Sequence, residues 1–143
     1  VGSGITVQQQ MQQVPIGKAK VVCEGQKLAI LCFGTLLQQA LPVAEKLGAT
    51  LVDMRFVKPL DKELINQLVE NHSQFVTIEE NSIAGGAGSG VNEYLQAEKI
   101  NVPVLNLGLP DQFIEQGTQQ QIYQMLALDS QGIEQQINSY FNK

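Results

Sequence analysis

The chain has 143 residues, of which 43% are hydrophobic and 16% charged, and its formal net charge is −5. This composition is typical of one globular domain and excludes a disordered chain. Only one of the nine basic residues is Arg, so there is no basic stripe for a nucleic acid, and no apolar run is long enough to span a membrane. The first residue is Val1 rather than Met, which indicates a domain taken from a longer chain.

The first elements in chain order are an arm and two strands. Residues 1–18 are rich in Gly and Gln without a sustained period, which predicts a connecting arm from a preceding domain, with the folded domain over residues 19–143. Lys20–Glu24 is a short strand candidate, and the unbroken apolar run Leu28–Phe33 is typical of a strand covered on both faces. The turn at Gly25-Gln26 between them predicts a tight antiparallel hairpin.

Strand and helix patterns alternate over the rest of the chain. Further strands are predicted at Thr50–Met54, Phe75–Ile78 and Val102–Leu107, and helical spacing of apolar residues runs over Leu36–Leu47, Leu64–Val69, Val91–Leu95, Ile122–Leu126 and Ile133–Phe141. This alternation predicts a three-layer α/β/α fold around a five-stranded mixed sheet. The first strand is expected to be antiparallel and the other four parallel.

Several helix ends carry capping residues. Gly48 is predicted to end the first long helix, and Asp61, Thr118 (in a capping box with Gln121) and Ser130 to begin later ones. Pro42 falls inside the first helix and removes a backbone hydrogen bond there, so we expect a kink or a late helix start near Gln38.

The two cysteines are predicted to be free thiols. In the expected hairpin Cys23 lies opposite Leu28, which places Cys32 roughly 13 Å away, at about 3.3 Å per residue. A disulfide needs Cα atoms within about 7 Å. Two free thiols indicate a reducing compartment such as the cytoplasm.

Two Cys and one His do not supply a four-ligand zinc site, and we expect no metal site in this chain.

The carboxyl ends of the predicted strands form the rim where ligands bind in open α/β sheets. The glycine-rich stretch 85–90 lies there, after a strand and before a helix, but its spacing fits neither a dinucleotide fingerprint nor a P-loop. Two interpretations stay open. Gly86, Ala87, Gly88 and Ser89 hold a small anion at a helix N-terminus, or the glycines allow close backbone packing against another surface.

Charged residues on the same rim do not form a catalytic set. Glu79 and Glu80 are adjacent, so they point to opposite sides of an extended segment and cannot act as a facing acid/base pair. Asp53 and Arg55 share a face, so they can form an ion pair, or Arg55 can hold a phosphate. His72 is interpreted as either a solvated His or a His at the C-terminal end of a helix. We therefore assign no catalytic, cofactor-binding or metal-ligating residue.

Five separate stretches carry a family resemblance. They are Pro15–Lys18, Leu51–Asp61, Glu79–Asn81, Gly85–Glu93 and Leu107–Ile114. Together they resemble the C-terminal domain of transketolase-like, thiamine-diphosphate enzymes, and within these the 1-deoxy-D-xylulose-5-phosphate synthase family. The resemblance runs from Pro15 to the C-terminus. One departure is Pro42, which lies further into its helix than in the family pattern.

The resemblance implies a transferase of three domains that acts as a homodimer. Such an enzyme decarboxylates pyruvate on thiamine diphosphate and Mg²⁺ and joins the two-carbon unit to glyceraldehyde 3-phosphate, for isoprenoid, thiamine and pyridoxal synthesis. The cofactor and the residues that bind it belong to the two preceding domains, so none is expected to bind this chain. The resemblance implies that the chain is inactive alone and that Arg55, Glu79, Glu80 and the 86–89 loop face a neighbouring domain or subunit. The alternatives are a stand-alone anion-binding module and a dimerising assembly domain.

Overall fold

The computed structural model of the chain describes residues 13–142. Residues 1–12, which make up most of the predicted connecting arm, lie outside the described residues, as does residue 143. Within the described part, no helix is both long and apolar enough to cross a bilayer.

Strands and helices alternate along the described chain, as the sequence predicts. The elements are β1 (Lys20–Cys23), β2 (Lys27–Phe33), α1 (Leu37–Leu47), β3 (Thr50–Asp53), α2 (Lys62–Asn71), β4 (His72–Ser82), α3 (Ala87–Ala97), β5 (Val104–Leu109), α4 (Gln119–Met125) and α5 (Ser130–Phe141). The largest difference in bounds is in β4, which continues through the two rim glutamates. The helix α3 begins inside the glycine-rich stretch rather than after it.

The five-stranded mixed sheet is confirmed, with strand order β1-β3-β2-β4-β5. β1 is antiparallel to its neighbour and the other pairs are parallel. The predicted hairpin is wrong, because β1 pairs with β3 and not with β2. β2 is buried along almost its whole length, which suits a central position, whereas the alternating exposure of β1 suits an edge. The turn at Gly25-Gln26 instead bonds to Gly48 and Thr50, at the start of β3.

Helices cover both faces of the sheet, which confirms the three layers. Along β2, Ile30 and Cys32 point to the face covered by α1 and α5, and Leu31 and Phe33 to the face covered by α2 and α3. Because successive side chains of the strand point to opposite faces of the sheet, they contribute to two separate hydrophobic cores. Burying apolar side chains on both faces removes most of the sheet from water, which leaves its ends as the accessible parts.

Most helix ends carry the predicted caps. Gly48 takes a left-handed conformation with φ +61° after α1, the Asp61 side chain accepts from the Leu64 N–H, and the capping box at the start of α4 is complete. α1 begins at Leu37, one residue from the late start expected near Gln38, and contains Pro42.

The cap predicted for α5 is wrong by one residue. Asp129, and not Ser130, is the N-cap, and its carboxylate accepts from the Gly132 N–H at 2.9 Å. The Ser130 hydroxyl instead donates to the Gln39 carbonyl at 2.8 Å, which ties α5 to α1.

Both cysteines are free, as predicted, although the strand order supplies a different reason. β3 lies between the strands that carry Cys23 and Cys32, so the two thiols are separated by a whole strand. Burial, with the nearby charges of Asp53 and Glu80, raises the pKa of Cys32 from about 9 to about 12.

We predict that Cys32 is chemically silent in the folded protein. In a Cys23→Ser variant, Cys32 should react with a thiol reagent at pH 8 more than about 100-fold slower than in urea, because the reactive thiolate is suppressed by burial. Since its pKa is higher in the folded state, the protonated thiol stabilises the fold at neutral pH. That contribution should disappear as the pH rises from about 9 towards 12. Equal rates with and without urea would contradict the buried position.

Candidate functional site

The carboxyl ends of β2, β3 and β4 open onto a cleft of about 890 Å³ between α3 and the segment leading into α2. Its lining includes six of the seven rim residues that the sequence singled out, Arg55, Glu79, Glu80, Gly86, Ala87 and Ser89. The seventh, Gly88, is buried and does not line the cleft. The topology therefore brings together side chains that are up to 34 positions apart in sequence. The rim is therefore the candidate functional site of this chain.

Glu79 is the buried charge of the rim, with 3% of its surface exposed. Its two carboxylate oxygens accept separate hydrogen bonds from the first amides of α3, from Ala87 N–H at 2.7 Å and from Gly88 N–H at 2.8 Å. A carboxylate is stabilised at this place because the helix N-terminus presents unpaired donors and a positive partial charge. The end of β4 and the start of α3 are thus joined through one side chain.

The glycines of the loop permit this close approach. A Cβ on Gly86 would collide with the Glu79 carboxylate and the Ser82 carbonyl, and one on Gly88 with the Thr77 hydroxyl and, at 2.7 Å, with the Asn106 amide. Neither residue has a positive φ, so the need for glycine here is one of space. The close packing that the sequence suggested takes place within the domain, against β4 and β5.

The Ser89 hydroxyl of the loop is also paired within the domain. The Ser89 hydroxyl donates to the Ile83 carbonyl at 2.8 Å and accepts from the Gly85 N–H at 3.2 Å. With the Ala87 and Gly88 amides bound to Glu79, two of the donors that would hold an anion at residues 86–89 are already occupied by a carboxylate of the chain itself.

Glu80 points away from Glu79, as the sequence predicts for adjacent residues of a strand. Its carboxylate accepts from the Thr35 hydroxyl and the Tyr123 hydroxyl, and from the Gln119 side-chain amide at 3.4 Å. These partners come from the β2–α1 loop and from α4, so Glu80 fastens α4 to the sheet end. Tyr123 was missed by the sequence reasoning because nothing local to α4 indicates a partner 43 positions away.

Asp53 and Arg55 form the predicted ion pair, with 3.5 Å between Arg55 Nε and Asp53 Oδ2. Asp53 also accepts from the backbone N–H of Arg55 at 3.2 Å. Arg55 has φ +58°, a conformation that residues other than glycine adopt rarely and at a cost. The carboxylate therefore holds both the backbone and the side chain of this arginine at the cleft.

His72 lies at the C-terminal end of α2, as predicted, but it is buried and not solvated. Its Nδ1 lies 2.9 Å from the Leu68 carbonyl, so this nitrogen donates, and its Nε2 lies 2.8 Å from the Thr50 hydroxyl. Both contacts are at the opposite end of the strands from the cleft. His72 is a structural residue outside the candidate site.

The chain enters the domain beside the cleft. Asp61, besides capping α2, accepts from the Ala19 N–H at 2.9 Å, and Lys18 bonds to Glu63 at 2.6 Å. Among the residues that the structure describes, no three His, Cys, Asp or Glu side chains are grouped so as to hold a metal ion. The rim is a surface with fixed charges, in which we find no metal centre over residues 13–142.

Comparison with known sequences gives high similarity to one kind of enzyme. The chain is 68% identical over 141 residues to a 1-deoxy-D-xylulose-5-phosphate synthase from Psychromonas ingrahamii, covering 99% of this chain and 23% of that protein. It is 57% identical to the enzyme of the same name from Aeromonas hydrophila, covering 97% and 22% respectively. The chain thus spans less than a quarter of the length of these relatives.

Solved structures and a family model agree with this similarity. A split-gene transketolase, described as an inactive β4 tetramer, superposes with a TM-score of 0.82 at 31% identity, over 90% of this chain and 43% of that one. Transketolase from Campylobacter jejuni shares the fold, with a TM-score of 0.60 at 17% identity, over 86% of this chain and 18% of that one. The family model described as the transketolase C-terminal domain matches residues 17–133. The chain belongs to the transketolase C-terminal domain family.

Proposed function

We propose that this chain is the third domain of a 1-deoxy-D-xylulose-5-phosphate synthase. The whole enzyme condenses pyruvate with glyceraldehyde 3-phosphate, releases CO₂, and supplies precursors of isoprenoids, thiamine and pyridoxal. It is a homodimer in the cytoplasm that uses thiamine diphosphate and Mg²⁺. The observation that carries the proposal is the 68% identity to a synthase of this name over 99% of the chain.

The role of this chain in the enzyme is structural, and the isolated chain is inactive. The rim carboxylates are each committed to holding the domain together, Glu79 to the start of α3 and Glu80 to Thr35 and Tyr123. A group that is to act as an acid or base needs a position within reach of a substrate proton, which these contacts oppose. Thiamine diphosphate supplies the carbanion chemistry when it is bound in the preceding domains. The role of this chain is to support those domains structurally.

The second candidate, an anion-binding module, depends on free donors at residues 86–89. The two amides that would bind an anion most directly are bonded to Glu79. An incoming phosphate would also meet a buried negative charge, since Glu79 is almost fully enclosed. These two observations favour the structural role over the anion site.

The synthase assay tests the main proposal. The full-length enzyme, given pyruvate, glyceraldehyde 3-phosphate, thiamine diphosphate and Mg²⁺, should release CO₂ and form the five-carbon product. The isolated chain in the same assay should form none. Product formation by the chain alone, or none by the full-length enzyme, would refute the proposal.

A Glu79→Gln substitution tests the role of the buried carboxylate. The amide keeps one acceptor oxygen and turns an NH₂ towards an N–H donor, so we expect a loss of about 2 kcal/mol in the free energy of unfolding. Denaturant titration measures it. Glu93→Gln, on the exposed side of α3, is the matched control and should change little. If both variants were equally stable, the carboxylate would not be holding the helix.

Isothermal titration calorimetry with inorganic phosphate separates the two candidates. We expect no heat of binding at millimolar phosphate, because the Ala87 and Gly88 amides are occupied by Glu79. Saturable binding of phosphate would instead support the anion-binding module. A sugar phosphate should likewise give no heat of binding.

A further inference from the structure

The segment that joins β5 to α5 contains no buried residue over positions 110–126, which include the loop after β5 and the whole of α4. We call these residues the strap. Each of the other four helices buries two or more residues. The apolar contacts of α4 with the core come from two half-buried side chains, Tyr123 and Leu126. A helix this short depends on tertiary contacts for its stability, so α4 is weakly held.

The two ends of the strap are fixed to the domain. At the N-terminal end, the Leu109 carbonyl accepts from the Ile83 N–H at 3.0 Å, and Pro110 then ends the strand because it has no N–H to donate. At the C-terminal end, the Ala127 carbonyl accepts from the Gln136 side-chain amide at 2.8 Å. Gly132 packs so closely on Ala127 that a Cβ there would collide with its backbone. Movement of the strap is therefore confined to the residues between these two ends.

Glu80 fastens the middle of the strap. Within residues 13–142, the side-chain hydrogen bonds that tie the strap to the rest of the domain go to this carboxylate. Its Oε1 accepts from the Tyr123 hydroxyl and from the Gln119 side-chain amide at 3.4 Å. Its Oε2 accepts from the hydroxyl of Thr35 and from the backbone N–H of the same residue at 3.3 Å. One oxygen thus holds α4 and the other holds the β2–α1 loop.

Open grooves flank the strap. One, of about 440 Å³, separates α4 from α1 and α5, with Gln39, Gln124 and Gln131 among its walls. A second, of about 770 Å³, lies between α4 and the loop that precedes it. Side chains that border such space lack packing contacts on one side. The grooves therefore leave α4 room to move and little packing to oppose the movement.

We propose that the strap opens and closes as one unit between its fixed ends, and that Glu80 is the latch that keeps it closed. Opening breaks the bonds of Oε1 to Gln119 and Tyr123 and leaves those of Oε2 to Thr35 in place. Glu80 also lines the cleft, so the open state gives the rim a carboxylate oxygen that the closed state withholds. The motion lies within the domain and is independent of the proposed function.

Hydrogen–deuterium exchange of the full-length protein that contains this chain tests the strap. We expect hydrogen-bonded amides of α4, such as that of Leu126, to exchange at least about 100-fold faster than that of Ile137 in α5, because local opening costs less free energy than global unfolding. Exchange in α4 as slow as in α5 would overturn the proposal.

Two substitutions in the full-length protein test the latch from its two sides. Tyr123→Phe removes only the hydroxyl and keeps the ring on the core, and Glu80→Gln removes the charge. Each weakens a hydrogen bond to a carboxylate, so we expect exchange in α4 to become at least about tenfold faster. Exchange in β2 and α5 should stay within about twofold, because the rest of the fold does not depend on the latch.

Glu134→Gln is the matched control. It removes the charge that pairs with Lys46 between α1 and α5, at 2.7 Å, and should leave exchange in α4 unchanged. Unchanged exchange in both Glu80→Gln and Tyr123→Phe would show that Glu80 is not the latch. An equal rise in α4 and α5 would show that the strap does not open as a separate unit. Should Glu80→Gln fail to fold, Tyr123→Phe decides the question alone.

Discussion

Glu79 places a negative charge at the end of the central part of the sheet, where almost none of it reaches water. A buried carboxylate is costly unless hydrogen bonds replace its hydration. The first two amides of α3 provide them, and they come close enough only because residues 86 and 88 carry no side chain. The carboxylate, the glycines and the helix therefore require one another, and the form of the cleft follows from their arrangement.

This arrangement explains the role of the glycine-rich stretch. A loop of glycines between a strand and a helix can bind a phosphate, but here the chain supplies its own anion to the helix N-terminus. The helix is anchored to β4 and its position no longer depends on a ligand. A rigid rim of this kind suits a surface that must meet another domain in one orientation, which is the role that we propose for the chain.

The fold could be read from the sequence to the extent that its signals are local. Apolar runs gave the strands, and Gly48, Asp61 and Thr118 marked helix ends through contacts within a few residues. The pairing of β1 was not local. A glycine turn after a short strand predicts a hairpin, yet β3, with Leu51 and Val52 buried, takes the place beside β2 because that place is covered on both faces.

Prediction of the candidate site was limited in the same way, because only the local signals could be interpreted from the sequence. Adjacency showed that Glu79 and Glu80 face opposite sides, but not which of them is buried or what they bind. Thr35 and Tyr123 are more than 40 positions from Glu80, and Ala87 lies beyond a loop, eight positions from Glu79.

The central claim is that this domain is a structural part of a synthase and that its rim carboxylate Glu79 holds the start of α3 and takes no part in the chemistry. An experimental structure of the full-length enzyme tests it most directly. We expect Glu79 to be bonded to the Ala87 and Gly88 amides there, with no residue of this domain in contact with the bound cofactor. A structure in which Glu79 has left these amides and contacts the cofactor or the substrate would contradict the claim.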